Sequence, residues 1–512
     1  MRYLLTLILA LATAIGAGQA PQPSQSPPNI LLIQADDLGY GDLGAYGQTK
    51  FQTPSLDKLA REGIRFTQYY SGSTVCAPAR AALLTGKHTG HAWIRGNGRL
   101  PEGDVPLRAE EVTIAEVLRE REYRTGLVGK WGQGQPGTPG MPDKQGFEYA
   151  FGFLDQRHAH RQFTDYFYRN GERVASDLER DYAGDVFTRE AAAFIEKDDP
   201  RPFFLYLNYT VPHAELRAPE DSMALYRGKF PEKPFVNAKA DGVPSGSRPD
   251  TPSLGYRSEP TPRAAFAAMI TRMDRDIGRL MDILAARGLD RRTLILFTSD
   301  NGPHQEGGAD PRFFNSSGGL RGIKRDMYEG GIRVPMIARW TGTVPAGRVS
   351  DHVWAHWDLL PTFAEFAGAK APAGIDGLSM VRALRGETQP THEFLYWEFH
   401  ERGFQQAVRM GKWKAVRLKP GEPLELYDLD ADGHETSNVA ASNPEIVAKI
   451  ETYLKTARTE SARWPGSKAA VVRHRITATA TLKAPADVVY ACSPTTFLQE
   501  GQEFRRKHCS SS

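Results

Sequence analysis

Asn-Ile-Leu-Leu-Ile-Gln-Ala-Asp-Asp, residues 29–37, is the stretch of sequence that points most directly to the fold. Its four consecutive aliphatic residues predict a strand buried on both faces, as in a sheet covered by helices. A second such run, Leu294-Ile-Leu-Phe297, also ends in polar residues, and Val334 to Trp340 gives a third. Strands of this kind, separated by helical segments, predict an α/β sheet.

Two segments carry the start and stop signals of helices. Thr53-Pro54 opens one, with proline at the first helical position, and Gly63 ends it. Thr261-Pro262 opens a longer helix, whose apolar residues recur with a 3.6-residue period as far as Gly288. Near Asp376 the pattern changes to short segments typical of antiparallel strands. We therefore predict an α/β fold followed by a smaller C-terminal unit with an antiparallel sheet.

The composition excludes several classes of protein. The 512 residues include 64 Lys and Arg against 61 Asp and Glu, and 40% are hydrophobic. A net charge of +3 excludes an acidic disordered chain and a protein that coats nucleic acid, so we expect no nucleic-acid partner. The three cysteines, Cys76, Cys492 and Cys509, are too few for a disulfide scaffold.

The N-terminus is typical of an exported protein. In residues 1–20, a positive Arg2 precedes an apolar stretch and then small residues, which predicts a signal peptide. The alternative, a membrane anchor, needs a longer apolar stretch. Residues 21–28 are rich in Pro and Ser and predict an extended linker. We expect a periplasmic or secreted protein that is free of the membrane after signal cleavage. The basic tail, residues 466–512, carries no pattern that assigns it a structure.

Acidic clusters directly follow two of the predicted strands. Asp36 and Asp37 end the first, and Asp300 and Asn301 follow the second. Ligands of α/β sheets bind at the carboxyl ends of strands, so these residues are expected at one edge. Carboxylates gathered there repel unless a cation lies among them, and oxygen ligands favour Ca²⁺ or Mg²⁺. The alternative is two acidic turns that cap helices and face solvent.

Cys76 lies at the predicted start of a helix that continues through Pro78, Ala and Leu residues. At a helix N-terminus, the backbone N–H groups and the helix dipole favour anions. Judged by its residue type alone, a single cysteine is expected to be a small, buried, apolar side chain.

Several ordered motifs resemble those of type I, formylglycine-dependent sulfatases of the alkaline phosphatase superfamily. The resemblance covers residues 29 to about 440 and is strongest in Cys76-Ala-Pro-Ala-Arg80, which runs on to Leu83-Leu-Thr-Gly86. The further matching segments are residues 29–39, Gly129-Lys-Trp131, Pro212-His213, Asp300-Asn-Gly302, Gly322-Ile-Lys324, 329–335 and 425–429. The resemblance implies an alkaline-phosphatase-like α/β fold, with a large mixed sheet sandwiched by helices and a smaller C-terminal antiparallel sheet plus helix. It implies a catalytic domain at residues 29–375 and a C-terminal subdomain at 376–465.

The resemblance also implies the chemistry of the site. In this family a formylglycine-generating enzyme oxidises the cysteine to 3-oxoalanine, also called formylglycine, so this enzyme is an expected maturation partner of Cys76. One hydroxyl of the hydrated aldehyde attacks the sulfur of a sulfate ester, and the second hydroxyl then expels sulfate. The expected calcium ligands are Asp36, Asp37, modified Cys76, Asp300 and Asn301.

Four further residues match catalytic positions of the family. Arg80 resembles the residue that orients the hydrated aldehyde, and Lys130 and Lys324 resemble the cations that hold the sulfate oxygens. His213 resembles the histidine that contacts sulfate and protonates the leaving alcohol.

One motif departs from the family pattern. The usual Gly-Lys-Trp-His-x-Gly has Gly132 in place of its histidine. We hypothesise that His158 or His160, from a His-rich segment, fills the space, although both could be surface histidines. His304 is a further candidate for contact with the substrate.

The function implied is that of an arylsulfatase-like sulfuric ester hydrolase, which removes sulfate from a sulfated sugar with Ca²⁺ and formylglycine. One alternative is a phosphodiesterase or phosphonate monoester hydrolase of the same superfamily. Another is a non-catalytic glycan-binding protein, in case Cys76 stays unmodified.

Overall fold

The computed structural model describes residues 27–98, 104–241, 255–466, 492–499 and 502–509. The predicted signal peptide and most of the predicted linker lie outside these residues. The strands of the large sheet are β1 (Asn29–Asp36), β2 (Ile64–Tyr70), β3 (Arg124–Lys130), β4 (Tyr149–Phe153), β5 (Tyr166–Arg169), β6 (Glu172–Ala175), β7 (Phe203–Pro212), β8 (Thr293–Ser299), β9 (Arg333–Arg339), β10 (Arg348–Ser350) and β11 (Trp354–Ala355).

The large sheet is mixed, as predicted. Its strand order is β10-β2-β9-β8-β1-β7-β3-β4-β5-β6, and β11 also pairs with β2. Strands β8, β1, β7, β3 and β4 run parallel to one another, whereas β9 is antiparallel to β8 and β2. Because β1 lies inside this parallel group, all eight of its residues are buried. The end of β1 therefore lies beside the ends of β8, β7 and β3.

Helices cover both faces of the large sheet. The helices of the described residues are α1 (Pro54–Arg61), α2 (Cys76–Thr85), α3 (Ile114–Arg119), α4 (Ala183–Glu196), α5 (Glu220–Met223), α6 (Ala238–Asp241), α7 (Pro262–Ala286), α8 (Pro311–Phe314), α9 (Glu329–Ile332), α10 (Leu359–Phe366), α11 (Val381–Leu384) and α12 (Pro444–Leu454). The predicted helices after Thr53 and Thr261 are confirmed as α1 and α7.

Alternate residues of β1 enter two different hydrophobic cores. Leu31 and Ile33 pack in the core beneath α1, α4 and α7, and Ile30 and Leu32 pack in the core beneath α2, α3 and α10. Burial of each such side chain contributes about 1.5–3 kcal/mol. The continuous aliphatic run is thus explained by a strand with helices on both sides, and the predicted fold class is confirmed.

A smaller antiparallel sheet follows in the chain. Its strands are β12 (Leu395–Phe399), β13 (Gln405–Met410), β14 (Trp413–Arg417) and β15 (Glu425–Asp428), paired in that order. One face packs on Tyr70 and Trp357 of the larger part, and the other packs on Ile450 and Leu454 of α12. The predicted C-terminal sheet and helix are therefore confirmed.

The segment Lys468–Ser512 forms a separate unit. Within it, β16 (Cys492–Gln499) and β17 (Gln502–Cys509) form an antiparallel hairpin. In the described part of the chain, no helix is long and apolar enough to cross a membrane.

Candidate active site

The polar residues that follow the parallel strands meet at one edge of the large sheet. β1 ends at Asp36, β3 ends at Lys130, His213 follows β7, and Asp300 follows β8. The register of these strands sets their ends side by side. Helix α2 starts at the same edge, which brings Cys76 to the acidic residues.

The four predicted oxygen ligands lie together and are fully buried. Asn301 Nδ2 donates to Asp37 Oδ1 at 2.7 Å, and the Asp37 backbone N–H donates to Asp300 Oδ1 at 3.0 Å. The carboxamide oxygen of Asn301 is buried and has no hydrogen-bond partner within the described ranges. Buried acceptors without partners are rare, so this oxygen and the adjoining carboxylates fit a hard cation.

The neighbouring carboxylates have opposite pKa shifts. Burial alone would raise the pKa of Asp36, but nearby positive groups, led by Lys130, outweigh it and hold this pKa well below its usual value. Burial, and then the charge of Asp36, raise the pKa of Asp300 to about 7. Positive neighbours thus hold Asp36 ionised, whereas at Asp300 a proton, or a cation in its place, is favoured.

Cys76 faces the acidic cluster from the first turn of α2. Its Sγ lies 3.6 Å from Asp36 Oδ1 and 4.0 Å from Asp37 Oδ1. All ten residues of α2 are buried, and Gly86 ends the helix at a positive φ of 69°, a conformation that favours glycine. Burial raises the pKa of the Cys76 thiol well above its usual value, against the effect of two lysines. The unmodified thiol is therefore a poor nucleophile here.

Three cationic side chains bind the carboxylates beside Cys76. Arg80 donates from Nε and from a terminal nitrogen to Asp300 Oδ2, at 3.1 and 2.8 Å. Lys130 Nζ donates to Asp36 Oδ2 at 2.7 Å, and Lys324 Nζ donates to Asp37 Oδ2 at 2.7 Å. Burial would lower the pKa of both lysines, but Asp36 and Asp37 outweigh it, so both pKa values are raised and both side chains are charged.

His213 lies between Lys324 and two other histidines. Its Nε2 lies 3.1 Å from Lys324 Nζ, and its Nδ1 lies 2.5 Å from the carbonyl oxygen of Ala214. The rings of His160 and His304 stack on His213, with centroid distances of 4.4 and 5.6 Å. Burial, followed by the charge of Lys324, lowers the pKa of His213 well below its usual value.

Two of the predicted substrate contacts, His158 and His304, do not line the catalytic cavity. The ring of His158 packs against Phe153 and Tyr166, and its Nε2 is 2.8 Å from Thr164 Oγ1, so it belongs to the core. His304 is also buried, with Nε2 3.0 Å from the Pro212 carbonyl oxygen and Nδ1 accepting from the Glu306 backbone. Of the three histidines proposed to contact substrate, the structure brings only His160 into the catalytic cavity.

The space above Gly132 is filled by Gln156 rather than by a histidine. Gly132 has a φ of +67°, and a Cβ atom there would lie 2.0 Å from Gln156 Nε2. Gln156 also donates to the Gly132 carbonyl oxygen at 3.4 Å and lines the cavity with Cys76. The hypothesis that His158 or His160 fills this space is therefore wrong, because the side chain of Gln156 occupies it.

A cavity of 190 Å³ opens above Cys76. The lining residues that the sequence did not single out are Asn97, Gly98, Asp104, Arg157, Tyr256, Glu306 and Arg325. Glu306 is the most connected of them. It accepts from Arg325 at 2.6 Å and from the Tyr256 hydroxyl at 3.1 Å, and it lies 3.6 Å from Lys324 Nζ. The sequence feature that could have identified Glu306 is its position three residues after Pro303, in the loop that follows Asp300.

The comparisons with known proteins agree with this geometry. The sulfatase family matches residues 28–369, and the family described as N-sulphoglucosamine sulphohydrolase, C-terminal, matches residues 322–460. Human arylsulfatase A is 31% identical over 509 residues, covering 87% of this chain and 89% of that protein. The N-acetylgalactosamine-6-sulfatase of Canis lupus familiaris is 30% identical, covering 90% of this chain and 84% of its own.

Solved structures give the same result. Ps i-CgsB in complex with k-i-k-neocarrahexaose has a TM-score of 0.71 and 29% identity, covering 84% of this chain and 92% of that one. The phosphonate monoester hydrolase of Agrobacterium radiobacter, at 22% identity and a TM-score of 0.61 over 84% of this chain and 95% of its own, shares the fold alone. The chain belongs to the sulfatase family. It is a sulfuric ester hydrolase.

Proposed function

We propose that this protein is an exported, calcium-dependent sulfatase that removes sulfate from a sulfated sugar, with Cys76 converted to formylglycine. The observation that carries the proposal is the position of Cys76, at the start of α2 between the acidic cluster and the lysines Lys130 and Lys324. Conversion of Cys76 to formylglycine also explains why a cysteine occupies a place where burial suppresses its thiolate form.

The residues Asp36, Asp37, Asp300 and Asn301, together with the modified Cys76, would hold the calcium ion. The unpartnered amide oxygen of Asn301 and the adjoining carboxylates support this assignment. A bound calcium ion would supply positive charge that acidifies a nearby hydroxyl and polarises a sulfate oxygen. Formylglycine would supply, as its hydrate, one hydroxyl to attack sulfur and a second to release sulfate.

The cations hold the sulfate group and stabilise charge during its transfer. Lys130 and Lys324 each donate to one carboxylate of the cluster, and Lys324 also lies within hydrogen-bond distance of His213 Nε2. Each ammonium group has three N–H donors, so at least one remains for a sulfate oxygen. Arg80 is held by Asp300 and orients the group at position 76. A permanently charged guanidinium suits this positioning role.

His213 is placed to move a proton to the leaving alcohol. A carbonyl oxygen only accepts, so Nδ1 donates to Ala214, and in the neutral ring Nε2 accepts from Lys324 Nζ. His213 lines the catalytic cavity, so a proton taken up there at Nε2 can pass to the departing oxygen, which a poor leaving group such as a sugar alkoxide requires.

The substrate class rests on relatives and on the cavity. Relatives include an N-acetylgalactosamine-6-O-sulfatase of Bacteroides thetaiotaomicron at 28% identity, and the structure of Ps i-CgsB holds a carrahexaose. The polar lining of the 190 Å³ cavity, with Asn97, Asp104 and Tyr256, suits sugar hydroxyls. Export, inferred from residues 1–20, places the enzyme where external polysaccharides are degraded and where a formylglycine-generating enzyme acts during maturation.

Mass spectrometry of the tryptic peptide Phe66–Arg80, from protein made in its native host, tests the modification. We expect an aldehyde at position 76, trapped as a hydrazone; a peptide with only free thiol would contradict the proposal.

The metal is tested by the melting temperature with and without Ca²⁺. Calcium should raise the melting temperature of the wild type and leave that of Asn301→Leu nearly unchanged.

Competing rates on 4-nitrophenyl sulfate and bis(4-nitrophenyl) phosphate separate the sulfatase from the phosphodiesterase alternative. We expect the sulfate ester to be the better substrate of the matured protein. A higher kcat/KM for the phosphodiester would overturn the proposed reaction class.

A further inference from the structure

A second cavity, of 700 Å³, lies outside the catalytic site. It is formed between residues 91–95, Arg108 and residues 459–463, which all belong to the unit that contains the large sheet. The mechanism proposed above uses none of these residues. The lining side chains that matter for binding are His91, Trp93, Arg95, Arg108, Glu460 and Arg463.

The second cavity carries surplus positive charge. Arg463 is exposed and forms no ion pair or hydrogen bond with the residues that the structure describes. Arg108 pairs with Glu111, but Lys87 binds the same carboxylate at 2.8 Å, so two cations share one anion. Glu460 is the single carboxylate among the lining residues. An anionic ligand is therefore favoured over a neutral or cationic one.

An aromatic side chain lies beside these cations. The Arg108 guanidinium stacks over the Trp93 ring, with its carbon 4.4 Å from the ring centroid. The indole Nε1 donates to the Pro106 carbonyl oxygen at 3.0 Å, which fixes the ring. A fixed aromatic ring with adjacent arginines suits a ligand with an apolar ring face and anionic substituents, since arginine binds sulfate or carboxylate oxygens in pairs. A sulfated sugar has both features.

The second cavity is close to the catalytic one. Arg95 lines the second cavity, whereas Asn97 and Gly98 line the catalytic cavity. Two residues of extended chain span at most about 7 Å, so the two cavities flank one short segment. Gly96, between them, packs against Trp464, and a Cβ atom at position 96 would lie 2.7 Å from that ring. Asn97 is itself fixed, because its Oδ1 accepts from the backbone of Ala77 at 3.0 Å.

We infer that the second cavity binds another sulfated unit of the same glycan chain whose sulfate ester occupies the catalytic cavity. This inference rests on the proposed function and adds to it. The enzyme then acts on oligosaccharides or polysaccharides in preference to single sulfated sugars. Arg463 and Arg108 bind the anionic groups of the second unit, and Trp93 contacts its ring.

The test compares long and short ligands. Binding of sulfated hexasaccharides from chondroitin sulfate and carrageenan, and of the corresponding sulfated monosaccharides, is measured by calorimetry on Cys76→Ala, which cannot turn over. Adding Arg463→Ala should raise the hexasaccharide dissociation constant roughly tenfold at low salt and leave monosaccharide binding unchanged. Arg385→Ala is the matched control, since Arg385 is exposed and lines neither cavity.

Three outcomes overturn the inference: equal binding of hexasaccharide and monosaccharide, equal effects of Arg463→Ala and Arg385→Ala, or no hexasaccharide binding. Hydrolysis of 4-nitrophenyl sulfate by Arg463→Ala with Cys76 intact is measured in parallel and should equal that of the wild type. Failure of the wild type on this small ester contradicts the proposed function instead. The two failures are thus distinguishable, because one is measured without turnover and the other without a glycan.

Discussion

Two buried ionic clusters in this protein look alike in composition but differ in how completely they are paired. The catalytic cluster comprises Asp36, Asp37, Asp300, Asn301 and the lysines that bind them. The structural cluster comprises Tyr70, Glu329, Arg409, Lys414 and Glu435. In both clusters the lysines and carboxylates are almost entirely buried, which by itself would suggest function in both places.

The structural cluster is closed. Lys414 Nζ lies 3.0 Å from Glu329 Oε1 and 3.4 Å from Glu435 Oε1, and the Tyr70 hydroxyl donates to Glu329 Oε2 at 2.6 Å. The Glu329 backbone N–H donates to Glu435 Oε2 at 2.7 Å. These residues join the small sheet to α9 and β2. The catalytic cluster has an unpartnered amide oxygen and a cavity above it, so pairing and access, not burial, distinguish the two.

The comparison predicts that Cys76→Ala abolishes activity and leaves the fold intact. We expect kcat on 4-nitrophenyl sulfate to fall by about 10⁴-fold or more, since the nucleophile is lost. The free energy of unfolding should change by no more than about 1 kcal/mol, because only one small atom leaves the core. Turnover assays and urea unfolding check both parts, and a variant that keeps a tenth of wild-type turnover would falsify the assignment.

Lys414→Met should lower the stability of the fold and leave the activity of the folded protein unchanged. It removes the cation that pairs with Glu435 and leaves Glu329 with Arg333, so we expect a loss of about 3–5 kcal/mol of unfolding free energy. The folded fraction should keep wild-type kcat, because Lys414 does not line the catalytic cavity. Urea unfolding followed by circular dichroism measures the loss. A normal stability would mean that the small sheet is held by its apolar contacts alone.

Glu435→Gln tests the pH dependence of the structural cluster. Burial raises the pKa of Glu435 to about 7, against the opposing charge of Lys414. In the unfolded chain a glutamate loses its proton near pH 4.3. Between that pH and about 7 the folded state binds a proton that the unfolded state lacks, so stability falls as the pH rises.

The glutamine variant has no such proton. Its stability relative to the wild type should therefore increase by about 2–3 kcal/mol from pH 5 to pH 8. Urea unfolding of both proteins at the two pH values gives this difference directly. The same stability difference at pH 5 and pH 8 would show that Glu435 stays ionised in the folded protein.

Lys412→Met is the smallest expected change and the control for Lys414→Met. Lys412 lies two residues away and pairs with Asp428 at 2.6 Å, but its side chain is 44% exposed. Exposed pairs of this kind contribute at most about 1 kcal/mol. A loss as large as that of Lys414→Met would mean that both substitutions act by disturbing β14.

The parts of the site that could be predicted from the sequence lie at the ends of recognisable elements. Asp36 and Asp300 follow buried strands, and Cys76 starts a helix with a proline in its first turn, so local patterns locate all three. The parallel neighbourhood of β1 and β8 then brings them together. The fold class followed from the same patterns, because continuous aliphatic strands require helices on both faces.

The parts of the site that could not be predicted from the sequence depend on contacts between loops. Tyr256 and Glu306 meet across 50 residues of sequence, and neither lies in a strand or a helix of the parallel core. The ring of His304 stacks on His213 and does not line the catalytic cavity, and this too is decided by side-chain packing. The structural cluster joins residues up to 339 positions apart. Periodicity and capping signals carry no information about such pairs.

The contact between Gly132 and Gln156 also constrains how this site can evolve. A histidine at position 132 would have to adopt the positive φ that Gly132 has, and the Gln156 amide would have to move away from its side chain. A smaller residue at 156, made first, leaves an empty volume beside Cys76. A histidine at position 132 and a smaller residue at position 156 are therefore expected to be coupled, because the first alone meets the Gln156 amide and the second alone leaves a gap.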